Sequence, residues 1–468
     1  MSTRALPRAA LAAVVLVQLV ASVLMLTRAP AGAGVAPAAP APHAAPAPHA
    51  APAGTVTTTG QPPTAQAALT PPPNDGGRRV AVQQLLDRWA SAVRARDDAA
   101  LAALFDPGAD PGFLGREKAR ATNLTQVPLA DWGYGITTDP SPTVPPTVQA
   151  HMDADEVWSP PVALHYAIAG ADPAPTTRPV GLVVARRGSR WQLVSDSAED
   201  DYGRLTWRGP WDFGPVIART VQGGVILAHP GHAGDADTLA AELTPAVDAV
   251  TDFWGPVWQQ RVAVVIPDTQ VELKALVGNE FADAEIAAVA IADDIDRTQH
   301  VAMGQRVVFN PATIGKLTAL SRRVVLRHEL THVAARAVTA PQVPVWLAEG
   351  FADYSGYRGS GVSLANGAPA VAALVRTAGP PDSLPTDVQF GGPSTPAQVE
   401  LAYQLAWTFA VFLATVKGES TLRAVYLTVA ALPAPTVADI DRALQPVVGE
   451  DLAVLVQEWG QWLQTTLR

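Results

Sequence analysis

The chain has 468 residues, 48% hydrophobic and 16% charged, with a formal net charge of −10 and no cysteine. That length allows more than one core, on a prior of roughly 100–200 residues per domain. The acidic balance and the lack of any lysine–arginine block argue against a nucleic-acid partner. The absence of cysteine excludes disulfides, cysteine metal ligands and a lipid-modified cysteine.

At the N-terminus, Arg4 and Arg8 precede an apolar run over residues 9–26, broken only by Gln18 and Ser22. A membrane span needs about 17–25 apolar residues, and the preceding arginines favour a cytoplasmic N-terminus. Two readings stand. Residues 1–28 form an uncleaved signal anchor, giving a single-pass membrane protein with its body outside the cytoplasm. Alternatively they are a cleaved signal peptide, with Ala31-Gly32-Ala33 as the small-residue site and a secreted product. Residues 29–77 are dominated by alanine, proline, threonine and glycine. They bury too little apolar surface to offset chain entropy, so the sequence predicts a disordered, proline-stiffened linker. His43 and His49 belong to its short repeat.

Order is predicted from residue 78. Val82, Leu85, Leu86, Trp89 and Val93 recur at helical spacing, and a second short helix over 99–105 follows the turn at Arg96-Asp97-Asp98. Strand patterns occupy 162–168, 180–185 and 191–195, the last two joined by a hairpin at Gly188. Helix, short helix and then antiparallel strands resemble the NTF2-like (SnoaL-like) α+β cone domain, which implies a packing or small-ligand-binding unit over 78–210. From Trp211 the texture changes. Strands are predicted within 216–227, joined at Gly223-Gly224, and over 262–266, 287–292 and 306–309. A helix over 237–254 carries Pro245 as a possible kink, and long helices follow to the C-terminus. Strands followed by helices give an α+β domain over 211–468.

The chemistry concentrates in Val325-Leu-Arg-His328-Glu329-Leu-Thr-His332. Residues 317–338 contain no proline or glycine, so a helix is expected. Histidines four apart then share one face and point at one metal ion. Glu329, one step along, lies beside the metal without ligating it and can take a proton from bound water; this is the mechanism of H-E-x-x-H. After Pro341 and Pro344 the chain reads Trp346-Leu347-Ala348-Glu349-Gly350-Phe351-Ala352-Asp353.

These two segments together resemble the gluzincin zinc metallopeptidases, specifically their peptidase MA-like members, across roughly residues 215–468. The resemblance implies one Zn2+ per chain held by His328, His332 and Glu349. It also implies Glu329 as general base toward a zinc-bound water, and Asp353 as the carboxylate orienting a ligand histidine. Three protein ligands leave a fourth position open, as catalytic zinc requires. The sequence departs from the family at several points. Sixteen residues separate His332 from Glu349, the G-x-M-x-N exopeptidase signature is absent, and no histidine follows His332. Another donor must therefore stabilise the oxyanion. The resemblance points to Tyr403 near the start of a C-terminal helix, with Tyr354, Tyr357 and His300 as lesser candidates. Arg306-Val-Val-Phe309 is expected to be an edge strand pairing with extended substrate backbone, while Trp459 and Trp462 are assigned to packing.

The expected protein is an exported α+β zinc peptidase acting on peptide or protein substrates. The alternative is a zinc-holding cell-surface protein, catalytically weak or inactive, whose front domain binds a partner or ligand.

Overall fold

The computed structural model describes residues 15–16, 75–278, 286–391 and 393–467. The expected anchor and linker lie outside the described residues, apart from Val15–Leu16 and residues 75–77. The described chain is mixed α+β, with small sheets first and helices after.

The front unit opens with helices α1 (Asp75–Ala95), α2 (Asp98–Ala102) and α3 (Phe113–Asn123). The five apolar positions that predict α1 form its buried face, each at most 1% exposed. Asp97 starts α2 by accepting from the N–H groups of Ala99 and Ala100. Strand β1 (Leu129–Ile136), helix α4 (Pro146–His151) and strands β2 (Glu156–Trp158), β3 (Pro161–Ile168), β4 (Thr176–Gly181), β5 (Val183–Arg187) and β6 (Arg190–Ser195) follow. They build two three-stranded antiparallel sheets, in the orders β1-β3-β4 and β2-β5-β6.

The single strand expected over 180–185 is therefore two strands in different sheets. The break falls where the 204–206 segment crosses. Thr206 Oγ1 accepts from the Gly181 N–H at 3.0 Å, and a Cβ on Gly181 would sit 2.2 Å from the Arg204 carbonyl oxygen. The hairpin turn at Gly188 is present, with φ +61°.

A second sheet forms the centre of the molecule. Its strands are β7 (Ile217–Val221), β8 (Gly224–Ala228), β9 (Val262–Ile266), β10 (Ala288–Ile291) and β13 (Arg306–Phe309), with the hairpin β11 (Asp294–Asp296) and β12 (Val301–Met303) outside it. The spatial order is β7-β8-β9-β13-β10, with Val15–Leu16 paired beyond β10. β8, β9 and β13 are parallel, whereas β7 and β10 run antiparallel to their neighbours.

All five β9 residues are buried because both faces of the sheet are covered. Val262, Val264 and Ile266 face the helical side. Ala263 and Val265 join Trp132, Tyr166 and Trp211 of the front unit in a second core. One expectation is corrected here. β13 has neighbours on both sides, so the edge beside the active-site helix is β10 rather than Arg306–Phe309. The reason lies in connectivity: the β11–β12 hairpin returns the chain beneath β10, into the slot next to β9.

The helical side contains α5 (Ala233–Trp254), α6 (Gln270–Val277), α7 (Ala319–Ala335), α8 (Val345–Tyr357), α9 (Leu364–Gly367), α10 (Pro369–Thr377), α11 (Pro396–Phe412), α12 (Glu419–Ala430), α13 (Val437–Val448) and α14 (Leu452–Thr466). α5 runs through Pro245 without interruption. Trp459 is fully buried against Phe409, and Trp462 packs on Phe412. Among the described residues, one helical stretch, Pro396–Lys417, is long and apolar enough to cross a membrane; it is mostly buried inside the fold.

Candidate metal centre

α7 carries His328, Glu329 and His332, all buried. Thr318 caps it, its hydroxyl accepting from the Ser321 N–H. α8 crosses α7 at very short range, and glycine makes this possible. A Cβ on Gly356 would lie 2.8 Å from the Val324 carbonyl oxygen of α7. On the opposite side, a Cβ on Gly350 would lie 2.4 Å from the Ala406 carbonyl oxygen of α11. Buried Trp346, Leu347 and Phe351 seal α8 into the core. Glu349 and Asp353, one helical turn apart, are thereby pressed toward the two histidines.

His328 Nε2 and His332 Nε2 are 2.9 Å apart. Glu349 Oε2 lies 3.4 Å from His328 Nε2, and Glu349 Oε1 lies 3.7 Å from His332 Nε2. The donor set fits zinc. Bonds of about 2.0–2.2 Å to nitrogen and oxygen place neighbouring corners of a tetrahedron roughly 3.3–3.6 Å apart. Two imidazole nitrogens and a carboxylate are ligands that zinc accepts, and among the described residues these three form the cluster able to hold a metal. Both oxygens of Glu349 and both of Glu329 are buried without a well-formed hydrogen bond. Such a loss is costly unless another group compensates for it.

Asp353 Oδ1 is 2.8 Å from His328 Nδ1. This fixes Nδ1–H as the donor and turns the Nε2 lone pair toward Glu349. Burial alone would lower the His328 pKa, but the charges and hydrogen bonds of Asp353 and Glu349 overcome it and raise the value to about 10. Burial wins at His332, lowering it to about 4. The metal-free centre therefore concentrates its proton on His328. Burial pushes the Glu329 carboxyl up to about 8, against the pull of His328, Arg336 and the Ala290 N–H.

The other candidate residues scatter. Tyr403 is buried and meets Phe390 edge-on at 5.1 Å; it does not line the cavity that opens beside His332. Tyr354 donates to Glu419 Oε1 at 2.6 Å, and Tyr357 packs on Trp407. His300 is an exposed hairpin residue with φ +53°.

The cavity beside His332 instead brings together Arg297, Arg336 and Tyr426, which the sequence reading did not single out. Arg336 continues the His328–His332 face by four more residues, a signal present in the sequence. Tyr426 sits on α12 outside any motif, and nothing local marks it. Its hydroxyl is 2.9 Å from Thr339 Oγ1. Burial, with the charge of Glu349 adding to it, raises its pKa to about 12, so the phenol stays protonated and able to donate.

No protein-family model matches the chain, and no curated protein matches it. Thirty-seven chains of solved structures do match. One is an M1 zinc metallopeptidase from Deinococcus radiodurans, solved as a mutant bound to a Tyr-Ser-Ala substrate. It shares 13% identity with a TM-score of 0.34, over 53% of this chain and 52% of that chain. The match thus spans about half the length of each protein.

Proposed function

We propose that the protein is a zinc-dependent peptidase. The observation that carries the reading is the buried convergence of His328, His332 and Glu349 with Glu329, a fourth carboxyl that a purely structural zinc site would not need. Zinc held there supplies a Lewis acid and lowers the pKa of water into the neutral range. The chain's own residues do the rest. Asp353 holds His328 in the tautomer that offers Nε2. Glu329, with a pKa raised toward neutrality, accepts the proton of the attacking water and passes it to the leaving amine. Tyr426 donates to the oxygen that gains charge at the scissile carbonyl. An extended substrate pairs with the β10 edge, along the line that Val15–Leu16 takes in the structure.

We place the body outside the cytoplasm, on the strength of Arg4, Arg8 and the apolar run over 9–26. The front unit, NTF2-like in its pattern, serves mainly to cover the sheet. The alternative is a zinc-holding binding protein, and its support is an open groove of about 890 Å3 between α1, α2 and the β5–β6 turn. Glu329→Gln separates the two readings. The account expects this variant to retain one zinc per chain by metal analysis and to lose peptide cleavage. Cleavage at the wild-type rate would remove Glu329 from its role.

A further inference from the structure

The cavity beside His332 has a volume of about 110 Å3. A cavity of roughly 150 Å3 holds benzene, and one water occupies about 30 Å3. The space therefore admits a short side chain and is too small for an indole. Its chemistry is cationic. Arg336 is 5% exposed and donates from Nη2 to the Ala290 carbonyl at 2.7 Å, anchoring one guanidinium in the wall. Arg297 reaches in from the chain between β11 and β12, its Nε donating to the Thr339 carbonyl at 2.8 Å. Among the described residues, no carboxylate lies within ion-pair distance of Arg297. The phenol of Tyr426 supplies a third donor, while Ala348, next to the ligand Glu349, adds aliphatic wall.

We infer that this cavity is a specificity pocket for a carboxylate of the substrate, borne next to the bond that is cut. Two guanidinium groups and a phenol around a small space match the acceptor-only character of a carboxylate. Aliphatic wall beside them suits a one- or two-methylene stem. Two sources share this chemistry: an aspartate or glutamate side chain, and the free C-terminus of a peptide. The inference rests on the peptidase reading for its setting.

The test uses the zinc-loaded full chain and paired peptides. One pair carries glutamate or glutamine beside the scissile bond, with an amidated C-terminus. The other carries glutamine throughout, with a free or amidated C-terminus. Cleavage is measured as kcat/KM, and binding is measured by calorimetry on zinc-loaded Glu329→Gln protein. Charge-assisted hydrogen bonds of about 1.5–3 kcal/mol correspond to a preference of roughly tenfold to a hundredfold. That preference should appear for the carboxylate member of one pair, and the pair identifies the source. It should collapse toward unity in Arg297→Met and return in Arg297→Lys, with zinc content and melting temperature checking that both variants fold.

Cleavage without discrimination, or discrimination unchanged in Arg297→Met, would overturn the pocket while leaving the peptidase reading standing. Discrimination in binding with no peptide cleaved would do the reverse. Failure both to bind and to cleave would overturn the pocket as well.

Discussion

At the residue scale, the centre depends on how few hydrogen bonds compensate its buried charges. Asp353 raises the basicity of His328 and fixes its ring, so Asp353→Asn keeps the ligand set but weakens its grip. Zinc affinity should fall about 10- to 100-fold, read by competition with a chromogenic chelator. An unchanged affinity would mean that the 2.8 Å contact does no more than pack. Tyr426 and Tyr403 make a sharper contrast. Removing one oxyanion donor costs about 10²–10³ in kcat. The account assigns that loss, with KM little changed, to Tyr426→Phe and only a small effect to Tyr403→Phe; the opposite ranking would restore Tyr403. The sequence carried the metal ligands because H-E-x-x-H and the following glutamate are periodic on two helices. It did not carry Tyr426, because a donor brought in from a distant helix has no spacing rule to betray it.

At the element scale, the site is a product of close helix crossings. Gly350→Ala would place a methyl group against the backbone of α11, where no flexible side chain can yield. Overpacking of this kind costs about 1–3 kcal/mol, and here it should also shift Glu349. Chemical denaturation and zinc titration of the variant should both register the change. In the front unit, α3 buries Glu117, whose carboxylate accepts from Trp89 Nε1 at 2.6 Å and pairs with Arg120. Burial outweighs the pull of Arg120 and lifts its pKa from 4.5 to about 7. The folded state then binds the proton more tightly than the unfolded chain. The associated stability is full below about pH 4.5 and is lost as pH rises through 7, by roughly 2–3 kcal/mol. Glu117→Gln should flatten this slope in urea melts between pH 4.5 and 8, whereas a slope identical to wild type would assign it elsewhere. Helices were legible from their apolar faces, as in α1. The edge of the sheet was not, because β10 and β13 are equally short and apolar, and only the hairpin between them decides which one lies inside.

At the scale of the whole molecule, the front unit and the peptidase-like part share a core across the central sheet. A buried ion pair fastens the two. Arg306 of β13 reaches both oxygens of Asp172, at 2.6 and 2.8 Å. Asp172→Ala would leave a buried guanidinium without its carboxylate, a loss of about 3–5 kcal/mol, and one cooperative transition should move as a unit. Two separated transitions would show that the units fold independently. This union was invisible in the sequence, where the change of texture near Trp211 reads as a boundary. Alternating burial along β9 is expressed only once both faces find their partners.

The central claim is metal-dependent hydrolysis of peptides, and the most direct measurement is cleavage of a diverse peptide library by the zinc-loaded protein, beside a chelated sample and Glu329→Gln. The account predicts cleavage by the zinc-loaded wild type alone, restored to the chelated sample when zinc is returned. A folded, zinc-loaded protein that cleaves nothing, or a chelated sample that cleaves equally well, would contradict it.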